Sequence, residues 1–105
     1  MVRGDVVGIV LPARRGRVQS GKRYAVVVQA DDLLALSTVV ICPTSTSTPA
    51  ASFHPEIVVE GESTRVMCEM LAAVDARALG DRVGHLRLDE LRNIDDALEL
   101  VLDLA

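Results

Sequence analysis

Apolar residues fall in short blocks rich in Val and Ile, and only the last stretch of the chain repeats them at three- and four-residue spacing. Short β-branched blocks bounded by Gly, Pro and Ser predict strands, and the closing period predicts a helix. Gly4 to Leu11 (GDVVGIVL) reads as a first strand, ended by Pro12. PARRGRVQSGKR follows without periodicity and reads as a loop. Tyr24 to Gln29 (YAVVVQ) is a second strand whose near-continuous apolarity predicts cover on both faces. Ala30 to Ser37 makes a short connection, with room for one helical turn.

Thr38 to Cys42 predicts a third strand, and the hydroxyl run TSTST follows Pro43. Glu56 to Glu60 predicts a fourth strand, Gly61-Glu62-Ser63 a turn, and Thr64 to Ala73 (TRVMCEMLAA) a long fifth strand. Asp75 to Leu79 reads as a short helix stopped by Gly80, the usual residue past a helix end. A helix capped at or just before Asp89 runs to about Leu102, with Leu91, Ile94, Leu98, Val101 and Leu102 on one face. Strands first and helices last predict an α+β fold with a mostly antiparallel sheet.

Composition narrows this picture. The chain has 105 residues, which suits one domain spanning 1–105, and half of them are hydrophobic. Tyr24 and Phe53 are the only aromatics, so the core is aliphatic and a row of base-stacking platforms is not available. No apolar run is long enough to cross a bilayer, and no secretory h-region opens the chain, so a cytoplasmic protein away from membranes is expected. Cys42 and Cys68 sit in apolar runs and read as buried thiols. With His54 and His85 they lack the close spacing of a metal site, and no metal or other cofactor is expected.

The net charge of −4 argues against a general nucleic-acid binder, yet the charges are unevenly spread. Six of the eleven basic residues fall in the first 23 positions, where Asp5 is the only acid. That asymmetry predicts one basic surface on an acidic protein. The basic loop offers Arg14, Arg15, Arg17, Gln19, Lys22 and Arg23, and the hydroxyl run offers Thr44, Ser45, Thr46, Ser47 and Thr48. Each segment follows a buried strand. If those strands neighbour each other, guanidinium forks and hydroxyls meet at one place, and both groups match phosphate oxygens.

The ordered series RGDVV, a basic Gly loop, GKRYAVVVQ, VVICPTS, then VMCEMLAAVDARALGDRVGHL and a closing Leu/Val helix resembles the MazF/PemK toxins of bacterial toxin–antitoxin modules. The resemblance covers essentially the whole chain. It implies a small SH3-like, CcdB-like antiparallel β-sheet partial barrel with a C-terminal amphipathic helix. It also implies a homodimer, a cognate antitoxin partner, and metal-independent, sequence-selective cleavage of single-stranded RNA. In that pattern Arg23 matches the catalytic arginine, Thr44 (next Ser45) the catalytic hydroxyl, and Gln19 an RNA-contacting glutamine. The chain departs from the pattern at Tyr24, where the family has Pro, at Val7, where it has an aromatic, and at Glu69-Met70-Leu71-Ala72, where it has Glu-Gln-Ile-Arg.

Cleavage without a metal proceeds by in-line attack of a 2′-OH on phosphorus. Arg23 suits stabilisation of the charge that gathers on the phosphoryl oxygens. Arg hardly loses its proton, so it does not serve as the base. Glu69 and His54 are formal candidates for that role, although an outward strand carboxylate and a loop histidine before Pro55 are the plainer readings. The alternatives are a non-catalytic, CcdB-like toxin that grips a protein target such as DNA gyrase, and an inactive SH3-like binding homologue.

Overall fold

The computed structural model describes residues 1–9 and 23–104. The predicted end of the first strand beyond Ile9, and the loop carrying Arg14, Arg15, Arg17, Gln19 and Lys22, lie outside the described residues. Among the described residues seven strands form a curled antiparallel sheet: β1 (Asp5–Ile9), β2 (Tyr24–Val27), β3 (Thr38–Ser45), β4 (Glu56–Val59), β5 (Glu62–Val66), β6 (Ala72–Asp75) and β7 (Leu79–His85). The order is β4-β5-β3-β2-β1-β7, with β6 also paired to β3. One helix, α1 (Leu88–Leu102), closes the chain. The α+β partial barrel expected from the sequence is the architecture observed.

Alternation along the central strands divides the core in two. Val6, Val26, Cys42 and Val66 face one way and join Ile94 and Ala97 of α1. Val7, Ala25, Val27, Val39 and Ile41 face the other way. Strand β2 is therefore covered on both faces, and its Ala25, Val26 and Val27 are fully buried. Leu91, Leu98 and Val101 flank Ile94 as the spacing predicts, but Leu102 turns outward. The helix is anchored at its start by buried Glu90. One carboxylate oxygen accepts the Arg87 N–H at 2.9 Å and the other accepts the Val58 N–H of β4 at 3.0 Å. Arg3 ties the N-terminus to the same helix through Asp95, at 2.7 Å.

Three expectations are corrected. The predicted fifth strand is two strands, because a 3-10 turn at Cys68–Met70 separates β5 from β6. β3 pairs with β5 at Thr44 and Ser45 and with β6 at Thr38 to Ile41, so the apolar run must step sideways between its two pairings. The predicted short helix is a 3-10 turn, Ala76–Ala78, capped by Asp75 accepting the Arg77 N–H. Gly80 does not end it but lies within β7, where an added Cβ would sit 3.3 Å from the Gly8 carbonyl oxygen. Close approach at an irregular β1–β7 register, rather than helix termination, explains that glycine.

The third correction bears on the site. β3 does not stop at Cys42 but continues through Pro43, Thr44 and Ser45. Pro43 is tolerated there because its carbonyl, which accepts the Met67 N–H at 2.8 Å, supplies the ladder bond. The first two hydroxyls of the run are thus held on a strand.

The Arg3-Gly4-Asp5 triplet is a structural corner. Gly4 has φ +94°, donates to the Val27 carbonyl and accepts from Leu86. Asp5 is buried and accepts from the Val2 N–H at 2.8 Å and from His85. Burial alone would raise the Asp5 carboxyl, but Val2, His85 and Arg82 outweigh it and hold it below its ordinary value.

Candidate functional site

Strands β2 and β3 pair with Ala25 across from Pro43 and Val26 across from Cys42. Just beyond the last of these pairs, Arg23 and Tyr24 lie at the same end of the two strands as Thr44 and Ser45, and all four line one cleft. The Thr44 hydroxyl donates to the Tyr24 carbonyl at 3.2 Å, and Thr44 is 5% exposed. Ser45 is half-buried and pairs on its other side with Arg65 of β5. Its hydroxyl accepts the Ser47 N–H at 3.3 Å and lies 3.1 Å from the Ser47 hydroxyl, which shapes the bend that follows β3. One residue further along a strand reverses the side-chain direction. Thr44 is accordingly committed to the strand end, while Ser45 stands beside Arg65 and lines the cleft with Arg23.

These residues open onto a cleft of about 550 Å³. Arg23, Tyr24 and Thr44 to Ser47 form one wall, and the β4–β5 hairpin forms the other through Val59, Glu60, Glu62 and Thr64. The walls are joined where the Tyr24 hydroxyl donates to Glu60 Oε2 at 3.1 Å. Burial, that hydrogen bond and the charges of Glu60 and Glu62 push the Tyr24 phenol above its ordinary value, so it keeps its proton and remains a donor. Among the described residues, no carboxylate approaches Arg23 to ion-pair distance.

The hairpin has an unusual turn. Val59 pairs with Glu62, which leaves a two-residue loop, Glu60-Gly61, with φ of +51° and +81°. Two positive φ values make the tight mirror-image turn that matches strand twist, a geometry that favours Asn, Asp or Gly at its first position. A glutamate sits there instead.

His54 and Glu69 bond to each other. His54 Nε2 lies 2.5 Å from a Glu69 carboxylate oxygen and Nδ1 lies 2.8 Å from the Pro49 carbonyl oxygen. Both partners are acceptors, so both ring nitrogens must donate and the ring is an imidazolium. Burial would lower the His54 pKa, but Glu69 and Pro49 prevail and raise it above 6.5. Neither residue lines the cleft. The pair pins the segment between β3 and β4, and His54 also receives the Arg65 guanidinium on its carbonyl at 3.1 Å.

A histidine whose folded pKa is raised contributes stability that is full below about 6.5 and fades as pH climbs through the folded value. Thermal melts should show the midpoint falling above about pH 6.5, and His54→Asn should flatten that fall. A variant with an unchanged pH profile would exclude the imidazolium.

Of the residues singled out from the sequence, Arg23, Thr44, Ser45 and Thr46 meet at one cleft, while Arg14, Arg15, Arg17, Gln19 and Lys22 lie outside the described residues. Sequence reasoning missed Glu60 and Glu62, and it gave Tyr24 no part in the site. The Glu-Gly pair between two Val-containing runs was the available signal for the hairpin. Cys42 and Cys68 are fully buried, and the neighbouring Cys68 thiol together with burial pushes the Cys42 thiol up. The reading as inert buried thiols stands. Among the described residues no helix is long and apolar enough to cross a membrane.

Comparison with known families matches residues 2–102 to the PemK-like, MazF-like toxins of type II toxin–antitoxin systems. The chain belongs to this family. The MazF-like chain is 34% identical over 106 residues to the candidate toxin Rv3098A/RVBD_3098A of Mycobacterium tuberculosis, with 99% of each chain covered. Its fold is similar to that of a mycobacterial endoribonuclease solved with its cognate antitoxin (TM-score 0.84, 18% identity, 100% and 97% of the two chains covered). It is also similar to MazF of Deinococcus radiodurans (TM-score 0.80, 19% identity, 98% and 96% covered). The MazF-like sheet order and closing helix are therefore those reached above from the strands themselves.

Proposed function

We propose that this MazF-like toxin cuts single-stranded RNA in the cleft between β2–β3 and the β4–β5 hairpin, acting in the cytoplasm and needing no metal. The observation that carries the reading is the meeting of Arg23 with a row of strand-held hydroxyls at one polar cleft. The 2′-oxygen attacks the adjacent phosphorus, the bond from phosphorus to the 5′-oxygen breaks, and that oxygen leaves with a proton. The products are a 2′,3′-cyclic phosphate and a 5′-hydroxyl. The Arg23 guanidinium neutralises charge on the phosphoryl oxygens as the five-coordinate state forms. Both hydroxyls considered line the cleft with Arg23, but the Thr44 proton is held by the Tyr24 carbonyl, whereas among the described residues no strand carbonyl holds that of Ser45. Ser45 therefore donates to the phosphoryl group, and Thr44 fixes the strand end that carries it. Arg14, Arg15, Arg17, Gln19, Lys22 and Thr46 extend the contact with RNA.

The test is direct. Purified protein incubated with RNA and excess chelator should yield fragments ending in 2′,3′-cyclic phosphate. Fragments with 5′-phosphate ends, or cutting only after divalent metal is added, would overturn the scheme. Ser45→Ala should lower the rate more than Thr44→Ala; the reverse order would return the donor role to Thr44.

Two partners accompany the reading. Mycobacterial and Deinococcus relatives of similar fold have been solved with antitoxins. The excess of basic residues in the first 23 positions of this chain suits an acidic antitoxin segment that folds on binding. A homodimer is proposed on family membership.

A further inference from the structure

We propose that Tyr24 and Glu60 form a nucleobase subsite beside Arg23 that selects guanine in single-stranded RNA. The proposal rests on the RNA-cleaving reading of the same cleft and adds to it the base that is read.

The first argument is chemical complementarity. A carboxylate offers acceptors only. Glu60 lines the cleft; the Tyr24 hydroxyl occupies its Oε2, and among the described residues no donor occupies Oε1. Guanine is the base whose Watson–Crick edge presents two adjacent donors, N1–H and the 2-amino group. On adenine, cytosine and uracil each donor is flanked by an acceptor, which a carboxylate repels. Single-stranded RNA exposes these edges, and proteins read them there while stacking the base on an aromatic ring.

The second argument is stacking. Tyr24 is the only tyrosine, and the chain has no tryptophan. The other aromatic, Phe53, packs against the His54 ring at a centroid distance of 4.4 Å. Tyr24 is thus the aromatic surface that the cleft offers, at the position where the family pattern has a proline.

The third argument is strain. Glu60 occupies a left-handed position with φ +51°, in a turn that Asn or Gly would fill without penalty. Its one side-chain hydrogen bond crosses the cleft to Tyr24 and does nothing for the hairpin itself. Backbone strain kept at a cleft residue points to use of its side chain. Charge then orients the ligand. The Glu60 and Glu62 carboxylates repel the phosphate toward Arg23 and Ser45, which leaves the base against the hairpin wall.

The test uses 2′-O-methyl RNA tetramers, which lack the attacking hydroxyl and cannot be cut by the proposed chemistry. Each is a run of uridines carrying one guanine, inosine, adenine or cytosine. Binding is followed by NMR of the Tyr24 ring, the only tyrosine signal of the chain. The guanine tetramer should bind roughly 5- to 100-fold more tightly than the inosine tetramer, which lacks only the 2-amino donor, and than the adenine and cytosine tetramers. Glu60→Gln should level the four affinities. Glu60→Asn should do the same while raising the melting temperature, because Asn accepts the turn. Absence of a guanine preference, or a preference that survives Glu60→Gln, overturns the proposal. Failure of the RNA-cleaving reading is seen separately, as intact cleavable RNA, and leaves this binding measurement standing.

Discussion

Arg23→Ala should lower the rate of RNA cleavage by about 10²–10³-fold while leaving the melting temperature of the protein nearly unchanged. The size follows from the role. A donor aimed at an oxyanion that forms only in the transition state contributes to the rate and little to ground-state binding, and losses of this order accompany its removal. The stability part follows from position. Arg23 precedes β2, its carbonyl accepts the Ile9 N–H at 3.0 Å, and that backbone bond does not depend on the side chain. The comparison of interest is with Arg23→Lys. Lysine keeps the charge but not the planar fork, so most of the loss should remain. A fully active Arg23→Ala protein, or one whose KM rises with kcat intact, would remove Arg23 from the chemistry and return it to simple backbone attraction.

Ile94→Ala should be the most destabilising single truncation in α1, by about 2–5 kcal/mol. Ile94 is fully buried and faces the core cluster that includes Val6, Val26, Cys42 and Val66. It is therefore the side chain through which the helix seals one side of the curled sheet. A domain of 105 residues loses several degrees of melting temperature for each kcal/mol, so a fall of about 10 °C or more is expected by calorimetry. Leu102→Ala is the matched control. It carries the same kind of side chain on the same helix but is 46% exposed, and its effect should stay within about 0.5 kcal/mol. Equal effects at the two positions would mean that α1 packs with a different face than the one described.

That pair of positions also measures how far periodicity reaches. Spacing placed Leu91, Ile94, Leu98, Val101 and Leu102 on one stripe, and the structure keeps all but the last, which is the final residue of the helix and is turned to solvent. Strand β2 was equally legible, because a chain that buries Ala25, Val26 and Val27 on both faces has no polar positions to alternate. Strand β7 was not. Its residues are mostly exposed or half-buried at the sheet edge, so no apolar run marked a strand there, and Gly80 read as the stop of a short helix. The break between β5 and β6 was hidden for the opposite reason: the 3-10 turn at Cys68 is as apolar as the strands around it.

At the cleft the division falls between residue types and their pairing. Arginines gathered near the N-terminus and hydroxyls following an apolar run were visible in one dimension, as was their fitness for phosphate. Which hydroxyl is tied up by the strand end was not visible, since it depends on β3 continuing past Pro43 and on the Thr44 hydroxyl reaching the Tyr24 carbonyl. Glu60 lies 36 positions from Tyr24, and only closure of the sheet brings its carboxylate to that hydroxyl. His54 and Glu69 looked like separate, ordinary loop and strand residues until the turn after β5 set them against each other. Composition and period by themselves determined the aliphatic core, the α+β class, the closing helix and the presence of phosphate-matching groups, because burial and helical geometry act locally along the chain. Tertiary structure alone decided the cleft's far wall, the orientation of its hydroxyls and the charge state of His54, because each depends on strand pairings between distant segments.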